Sequence, residues 1–447
     1  MRVNRESRRS PNPVVYKPAQ LKASILRIST LAFIVQKHFT RNVIYRERAV
    51  TYKPRKLKFG AFLAPFHNDR TSPTFALERD LDLVKFLDEM DYDEAWIGEH
   101  HSGAYECISS PEVFIATAAE RTRHIRFGTG VSSLSYHQPL ILADRIAQLD
   151  HQTRGRIMFG VGPGQLIADA HMMGVDPQRL RERMGESLDV LVKLLRGEVV
   201  TVSTDWFTLN EARMHILPYQ ENLEITVASA ISPSGARLAG QYGANMLSVA
   251  ASSPQGFKAL ADSWQICEDK AAEYGQTVDR STWRVVAPFH IAETREQARQ
   301  DLEHGLMDMF NYFHKFGGEL FPQVKDLDEA IEVWCNGGLG AFGVGLVGTP
   351  DDLVEHIQNL QEQSGGFGAF LSLAHNAASY EATRKSYELL ARYVMPHFQH
   401  CNDNRTPSLE WASSNADRFM AEYMGGIQKA IDHHDAEVAG KEKAGSS

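Results

Sequence analysis

Between residues 57 and 398 the chain alternates short runs of β-branched or apolar residues with longer stretches in which apolar residues recur every three or four positions. The first kind reads as strand and the second as amphipathic helix. Their alternation implies parallel strands joined by crossover helices. Eight strands are expected: Leu57–Leu63, Glu94–Gly98, Ile125–Gly130, Arg156–Gly160, Glu224–Ser229, Ala244–Val249, Trp283–Ala292 and Gly368–Leu373. Between the first two, Leu77, Leu81, Val84 and Leu87 fall on one helical face. With a helical region after every strand, the pattern favours an α/β fold, an eight-stranded parallel (β/α)8 TIM barrel, over an open sheet. Two segments break the rhythm. Residues 198–219, ending in Leu217-Pro218-Tyr219, precede the fifth strand, and residues 314–348 form a longer Gly-rich stretch. A structureless run of that length in a compact domain is functional or disordered. The second is expected to be an insertion folding over the barrel mouth.

Charge divides the chain where the strand pattern begins. Residues 1–56 carry 14 Lys/Arg against 2 Asp/Glu, and the remainder 33 against 54, within a net charge of -9 over 447 residues. An acidic body argues against a nucleic-acid partner, which demands surplus Lys and Arg. The longest apolar stretch of the leader, Ile25–Val35, is interrupted by Arg27 and too short to span a bilayer. The leader fits an upstream misassigned start, a disordered arm or an organelle transit peptide. Cys107, Cys267, Cys335 and Cys401 are scattered, as free thiols of a reducing compartment would be, so a cytoplasmic location is expected. Residues 399–447 are expected to form a helix around Ser414–Ile431 and then a disordered end.

In a barrel of this kind the chemistry gathers at the carboxyl ends of the strands. Those ends carry Ala64-Pro65-Phe66-His67, Glu99-His100-His101, Gly130-Val131-Ser132-Ser133, Gly162-Pro163-Gly164, Ser229-Ala230-Ile231-Ser232 and Ala374-His375-Asn376. Small residues and histidine dominate, which disfavours both paired-acid glycoside chemistry and a three-ligand metal site. Consecutive small residues let a flat ligand lie against the backbone. Ser229–Gly235, including Ser232, Ser234 and a Pro233 able to open a helix, offers amides and hydroxyls for a phosphate, although simple helix capping by Ser232 explains it too. Gly338 to Gly343 spells G-x-G-x-x-G but follows no strand and is set aside. Phe310, Tyr312, Phe313, Phe316 and Phe321 either line an apolar pocket or pack a lid.

Several motifs resemble the bacterial luciferase-like flavin monooxygenases: Glu99-His100-His101, Gly128-Thr129-Gly130, Leu149 to Arg156, Val347-Gly348-Thr349-Pro350 and Tyr393-Val394-Met395-Pro396. Phe62 to His67, Trp96 to His101 and Leu371 to His375 are most similar to the limonene monooxygenase type. The resemblance implies a flavin at the strand ends, with His100 as a neutral, proton-handling imidazole beside it and His67 and His375 as further polar groups around the reacting centre. It implies cofactor contacts from Glu99, Gly130, Val131, Gly162, Ser229, Ala230, Ser232, Ser234 and Gly235, with a non-prolyl cis peptide at Gly130–Val131. Where luciferases carry a phosphate-binding arginine, this chain has Pro163. The implied cofactor is reduced FMN supplied by an NAD(P)H-dependent flavin reductase, with FAD open. The implied reaction passes one oxygen atom of O2, through a flavin hydroperoxide, to a small hydrophobic substrate such as a terpene alkene, in a homo-oligomer of two or four chains. Two alternatives stand: a deazaflavin-dependent dehydrogenase or reductase on the same barrel, and a non-catalytic flavin-binding protein.

Overall fold

The computed structural model describes residues 52–64, 66–318, 321–337 and 343–444. Most of the basic leader, Pro65 and most of the G-x-G-x-x-G run lie outside the described residues. Eight strands form the barrel: β1 Lys58–Leu63, β2 Glu94–Ile97, β3 Arg126–Thr129, β4 Ile157–Gly162, β5 Glu224–Ser229, β6 Asn245–Ser248, β7 Arg284–Ala287 and β8 Ala369–Ala374. Every neighbouring pair is parallel, and two contacts close the ring: β1 pairs with β8 from Lys58↔Ala369 to Leu63↔Ala374, and β3 meets β4 at Phe127↔Ile157. The expected eight-stranded barrel is therefore observed.

The seventh strand is shorter than its apolar run. Trp283–Ala292 reads as one strand by composition, but barrel pairing stops at Ala287, and Phe289–Ile291 turns away to pair in parallel with Leu346–Gly348. Pro288 stands at the break, and proline has no N–H to give to the ladder.

Strand residues point alternately inward and outward. Outward residues such as Phe59, Phe127 and Phe159 join helix residues such as Val84, Leu87 and Ile146 in the main core. Inside the barrel, Phe62, Trp96, Met158, Leu247, Val286 and Leu371 make a second cluster. Trp96 explains Gly128 on the neighbouring β3, where a Cβ would lie 2.3 Å from its indole; on Gly160 of β4 an added Cβ would first meet the Thr129 carbonyl oxygen and then the indole at 2.8 Å. Burying a side chain of this size contributes on the order of 2–3 kcal/mol.

Beneath Trp96 the interior is ionic. Glu94 receives Arg284 through two bonds of 2.8 Å and the indole N–H of Trp96 at 2.9 Å. Arg284 also reaches Glu224, which pairs with Arg126 at 2.8 Å. Burial opposes the charge on Glu94, but Arg284 outweighs it and holds the carboxyl at about 2.

The two interruptions have structure. Residues 198–219 contain an antiparallel hairpin, Val200–Ser203 with Thr208–Ala212. The Gly-rich stretch adjoins helix Leu306–Gly317 and contains helix Leu327–Asn336. Phe310, Phe313 and Trp334 of this lid pack with Phe66 after β1 and with Ala377 and Ala378 after β8, so it rests on the carboxyl end of the barrel. The helix after Gly348 starts with a capping box between Thr349 and Asp352, a physical reason for that motif.

At the carboxyl terminus a helix runs from Ala416 to Ala444, longer than the helix and disordered end expected. Helix-favouring Ala, Glu and Lys residues, with i,i+4 pairs such as Arg418–Glu422, sustain it without burial. No described helix is long and apolar enough to cross a membrane.

Candidate active site

Strand β2 delivers Glu99, His100 and His101 to the rim, and the loop after it folds back so that the His100 N–H donates to Ile108 O at 3.0 Å. This return brings Glu106 under the imidazole: its Oε2 lies 3.3 Å from His100 Nε2. On the other side Asp169, from the short helix Ile167–Met172 after β4, places Oδ2 3.4 Å from Nδ1. Asp169 also accepts from the Ser102 hydroxyl at 2.5 Å and the His101 N–H at 3.2 Å.

His100 is therefore flanked by two carboxyl groups. Burial works against its charged form, but Glu106, then Asp169 and Glu99, outweigh it and raise its pKa. Burial, with some help from Asp169, pushes the Glu106 carboxyl up despite His100. Asp169 stays low because His100, together with bonds from Ser102 and the His101 backbone, overcomes its burial. These neighbours favour the cation at His100 more than solvent does that of a free imidazole, where a neutral ring was expected.

Glu99 bonds to His101, His137 and the Ser133 amide and makes no hydrogen bond to His100 among the described residues. Its side chain has 0% exposure, and Oε1 accepts from His101 Nε2 at 2.9 Å and His137 Nε2 at 2.8 Å. Oε2 accepts the Ser133 N–H at 2.9 Å. These bonds overcome burial and hold Glu99 at about 2. Its work is to tie the end of β2 to the loop after β3.

The other two candidate histidines are fully engaged within the protein. Asn376 donates to His67 Nδ1 at 3.0 Å, and His67 Nε2–H donates to both oxygens of Asp80 at 3.0 and 2.9 Å. His375 Nε2–H donates to Phe289 O at 2.9 Å, and its Nδ1 accepts from the Ala377 N–H at 3.3 Å. Burial, then His290, drives the His375 pKa down to about 4. In both rings each nitrogen is hydrogen-bonded within the fold, and His67 lines the cleft beneath the lid.

The Gly130–Val131 peptide bond is cis. A Cβ on Gly162 would lie 2.4 Å from Val131 Cγ2, so Gly162 makes room for that valine. Likewise a Cβ on Gly235 would lie 2.3 Å from Ala228 O, so this glycine lets helix Ser234–Tyr242 close onto β5. Ser229 is buried, Ala230 and Ser232 are exposed, and the helix start has no side-chain cap. The Ser232 hydroxyl meets the Ser234 hydroxyl at 2.7 Å, which removes the capping explanation for Ser232. The first amides of the helix remain available to an anion. Nearby strand ends carry buried hydroxyls of Ser132, Tyr136 and Ser252 that find no hydrogen-bond partner among the described residues. Buried polar atoms are normally satisfied, so these fit a polar, flat cofactor with an anionic tail.

Over this rim the lid helix sets Tyr312 on Tyr105, with ring centroids 3.9 Å apart, and a Cβ on Gly103 would lie 2.8 Å from the Tyr312 hydroxyl. Burial, then Glu106, pushes that hydroxyl to about 12. Phe310 and Phe313 are lid packing, whereas Phe316 stacks on the outer side of Tyr312. A cleft of about 220 Å³ opens between the lid and the loops after β1, β2 and β8, lined by Phe66, Phe75, Tyr105, Met309 and Asn376 among others.

Glu106 and Asp169 were not singled out from the sequence. The available signal was a carboxylate in each segment following a strand whose end already held a candidate.

Residues 57–366 match the family model described as luciferase-like monooxygenase. The chain is 48% identical over 343 residues to limonene 1,2-monooxygenase of Rhodococcus erythropolis, covering 77% of this chain and 87% of that one. It is 45% identical over 365 residues to 4-hydroxyprotoasukamycin monooxygenase of Streptomyces nodosus subsp. asukaensis, covering 81% and 97%. Among solved structures, the oxygenating constituent of 3,6-diketocamphane monooxygenase from Pseudomonas putida, in complex with FMN, aligns with a TM-score of 0.62 at 24% identity, covering 76% of this chain and 98% of that one. That likeness speaks for the fold. The family match and the two sequence relatives say more: this chain belongs to the luciferase-like monooxygenases.

Proposed function

We propose that the protein is the oxygenating component of a two-component flavin monooxygenase, acting on a small hydrophobic substrate such as a terpene alkene. The observation that carries this reading is the pairing, at one rim, of an uncapped helix start with a histidine held between two carboxyl groups. Reduced FMN, when bound, supplies the electrons that activate O2. The amides of Ser234 and Gly235 and the hydroxyls of Ser232 and Ser234 would hold its phosphate. With Pro163 where an arginine stands in luciferases, that hold has less fixed positive charge, which suits a cofactor received from a separate NAD(P)H-dependent reductase and released after use.

Gly130, Val131 and Ser132 would form the floor under the ring system. His100 would hold a proton on Nδ1 or Nε2 beside the reacting atoms, where a group titrating near neutrality is most effective. The lid would exclude water, which otherwise diverts activated oxygen to hydrogen peroxide. Apolar side chains of the cleft, Phe66, Phe75 and Met309, would receive the substrate body.

The test is oxygen uptake and product formation with chemically reduced FMN and a panel of terpenes, ketones and alkanes. Stoichiometric oxygenated product supports the reading. Preference for reduced deazaflavin, with no oxygen consumed, would replace it with the dehydrogenase alternative. Tight flavin binding with neither reaction would replace it with a storage role.

A further inference from the structure

Glu106 is unlike the other acids of the rim. Glu99 is saturated by two histidines and an amide, and Asp169 by a hydroxyl and an amide in addition to His100. For Glu106 the ionic neighbour is His100 at 3.3 Å, and its side chain is only 16% exposed. It stands next to Tyr105, whose ring carries the lid residue Tyr312.

We propose that Glu106 is a positioning residue for His100, acting with Asp169 to flank the imidazole at both ring nitrogens and favour its protonated form. The idea deepens the oxygenase reading and rests on it for its functional meaning. Its physical basis is geometric. Glu106 Oε2 lies 3.3 Å from Nε2 and Asp169 Oδ2 3.4 Å from Nδ1, at ion-pair distance, and Nδ1 has no hydrogen bond among the described residues. A cationic ring meets both anions favourably, whereas a neutral ring would leave one nitrogen lone pair facing an anion. The groups facing His100 are Glu106 and Glu99 from the β2 end, His101 beside it, and Asp169 from the helix after β4. Those facing Glu106 are His100, Asp169, the neighbouring Cys107 thiol and, from the lid helix, the un-ionised Tyr312. Of these only His101 opposes the cation at His100, and its proton is held by Glu99. Glu106 thereby sets the alkaline limit up to which His100 keeps its proton, and it does so without touching substrate.

The experiment is a histidine NMR titration of the full-length, cofactor-free chain, with His100 assigned by its loss in His100→Gln. In the wild type His100 should titrate above the ordinary value of about 6.5. Glu106→Gln, equal in size and without charge, should lower the midpoint by about one pH unit or more, a tenfold loss of proton affinity. Asp169→Asn should lower it too. Should Glu106→Gln fail to fold, Glu106→Asp, one methylene shorter, should give a smaller shift in the same direction. An unchanged midpoint in whichever variant folds overturns the proposal. In turnover assays the alkaline limb of product yield per reduced FMN should move acidward by the same interval in Glu106→Gln, and an unmoved limb also overturns the proposal. If the wild type makes no oxygenated product at all, the oxygenase reading fails while the titration still judges the Glu106–His100 pair.

Discussion

At the floor of the barrel Glu94 meets Arg284 through two 2.8 Å bonds, and Arg284 and Arg126 share Glu224. At the rim two carboxyl groups, Glu106 and Asp169, divide one imidazole at 3.3 and 3.4 Å. The floor has permanent guanidinium charge, bidentate geometry and 1% exposure at both Glu94 and Arg284. The rim has a weaker, titratable cation at longer range. Buried carboxylates with a full set of partners hold a fold in one state, and those sharing a titratable partner can change protonation within the working pH range. The contrast matches a barrel whose stability and chemistry sit at opposite ends.

The floor offers the largest test. Arg284→Met leaves Glu94 and Glu224 buried beside an apolar side chain, and should cost about 3–5 kcal/mol in urea denaturation. A loss under about 1 kcal/mol would break the distinction between the two ends. At the rim His100→Ala should cost less stability than Arg284→Met but lower product yield per reduced flavin by about 100-fold, with the missing oxygen recovered as peroxide. Unchanged yield would remove His100 from the chemistry.

The pH response should have opposite sign for the buried carboxylates and for His100. Glu94 and Glu99 are held at about 2, below their unfolded value near 4.5, so their stabilisation is present above that value and is lost as pH falls towards 2. His100 is raised, so its contribution is complete below about 6.5 and is lost as pH rises through its folded value. Thermal melts of wild type and His100→Ala across pH 5–9 should therefore converge on the alkaline side. Smallest of all, Ser232→Ala removes a hydroxyl bonded only to Ser234 and should weaken FMN binding less than about threefold, while Gly235→Ala, driven into Ala228 O, should weaken it far more.

The barrel was legible because every strand carries its own hydrophobic signature and each turn of the pattern repeats it. The limit of β7 was legible only in Pro288, whose missing N–H ends the ladder within a long apolar run. Within the site, residue type and strand-end position pointed to His100, but they pointed equally to His67 and His375. What separates the three is hydrogen bonding: both ring nitrogens of His67 and of His375 are hydrogen-bonded within the fold, whereas His100 has its carboxyl neighbours only at ion-pair distance and an unbonded Nδ1, and the partners Asp80, Asn376 and Phe289 O come from distant chain positions. Glu106 and Asp169 stayed hidden for the same reason: 63 positions separate them, and only the fold brings both to His100. The tail helix follows local propensity, which a polar composition conceals.

Glu94 and Trp96 lie on one face of β2, and Glu99 follows at the end of the same segment, about 16 Å from Glu94 at ~3.3 Å per residue. Trp96 fills the space between them with an indole for which Gly128 gives up its side chain. The fully buried indole stands between the two charged layers, with its N–H turned to Glu94. Mutations at the rim can then alter charge, protonation and ligand preference without being felt at the floor. A scaffold insulated in this way is free to drift in chemistry while its foundation stays under a separate selection.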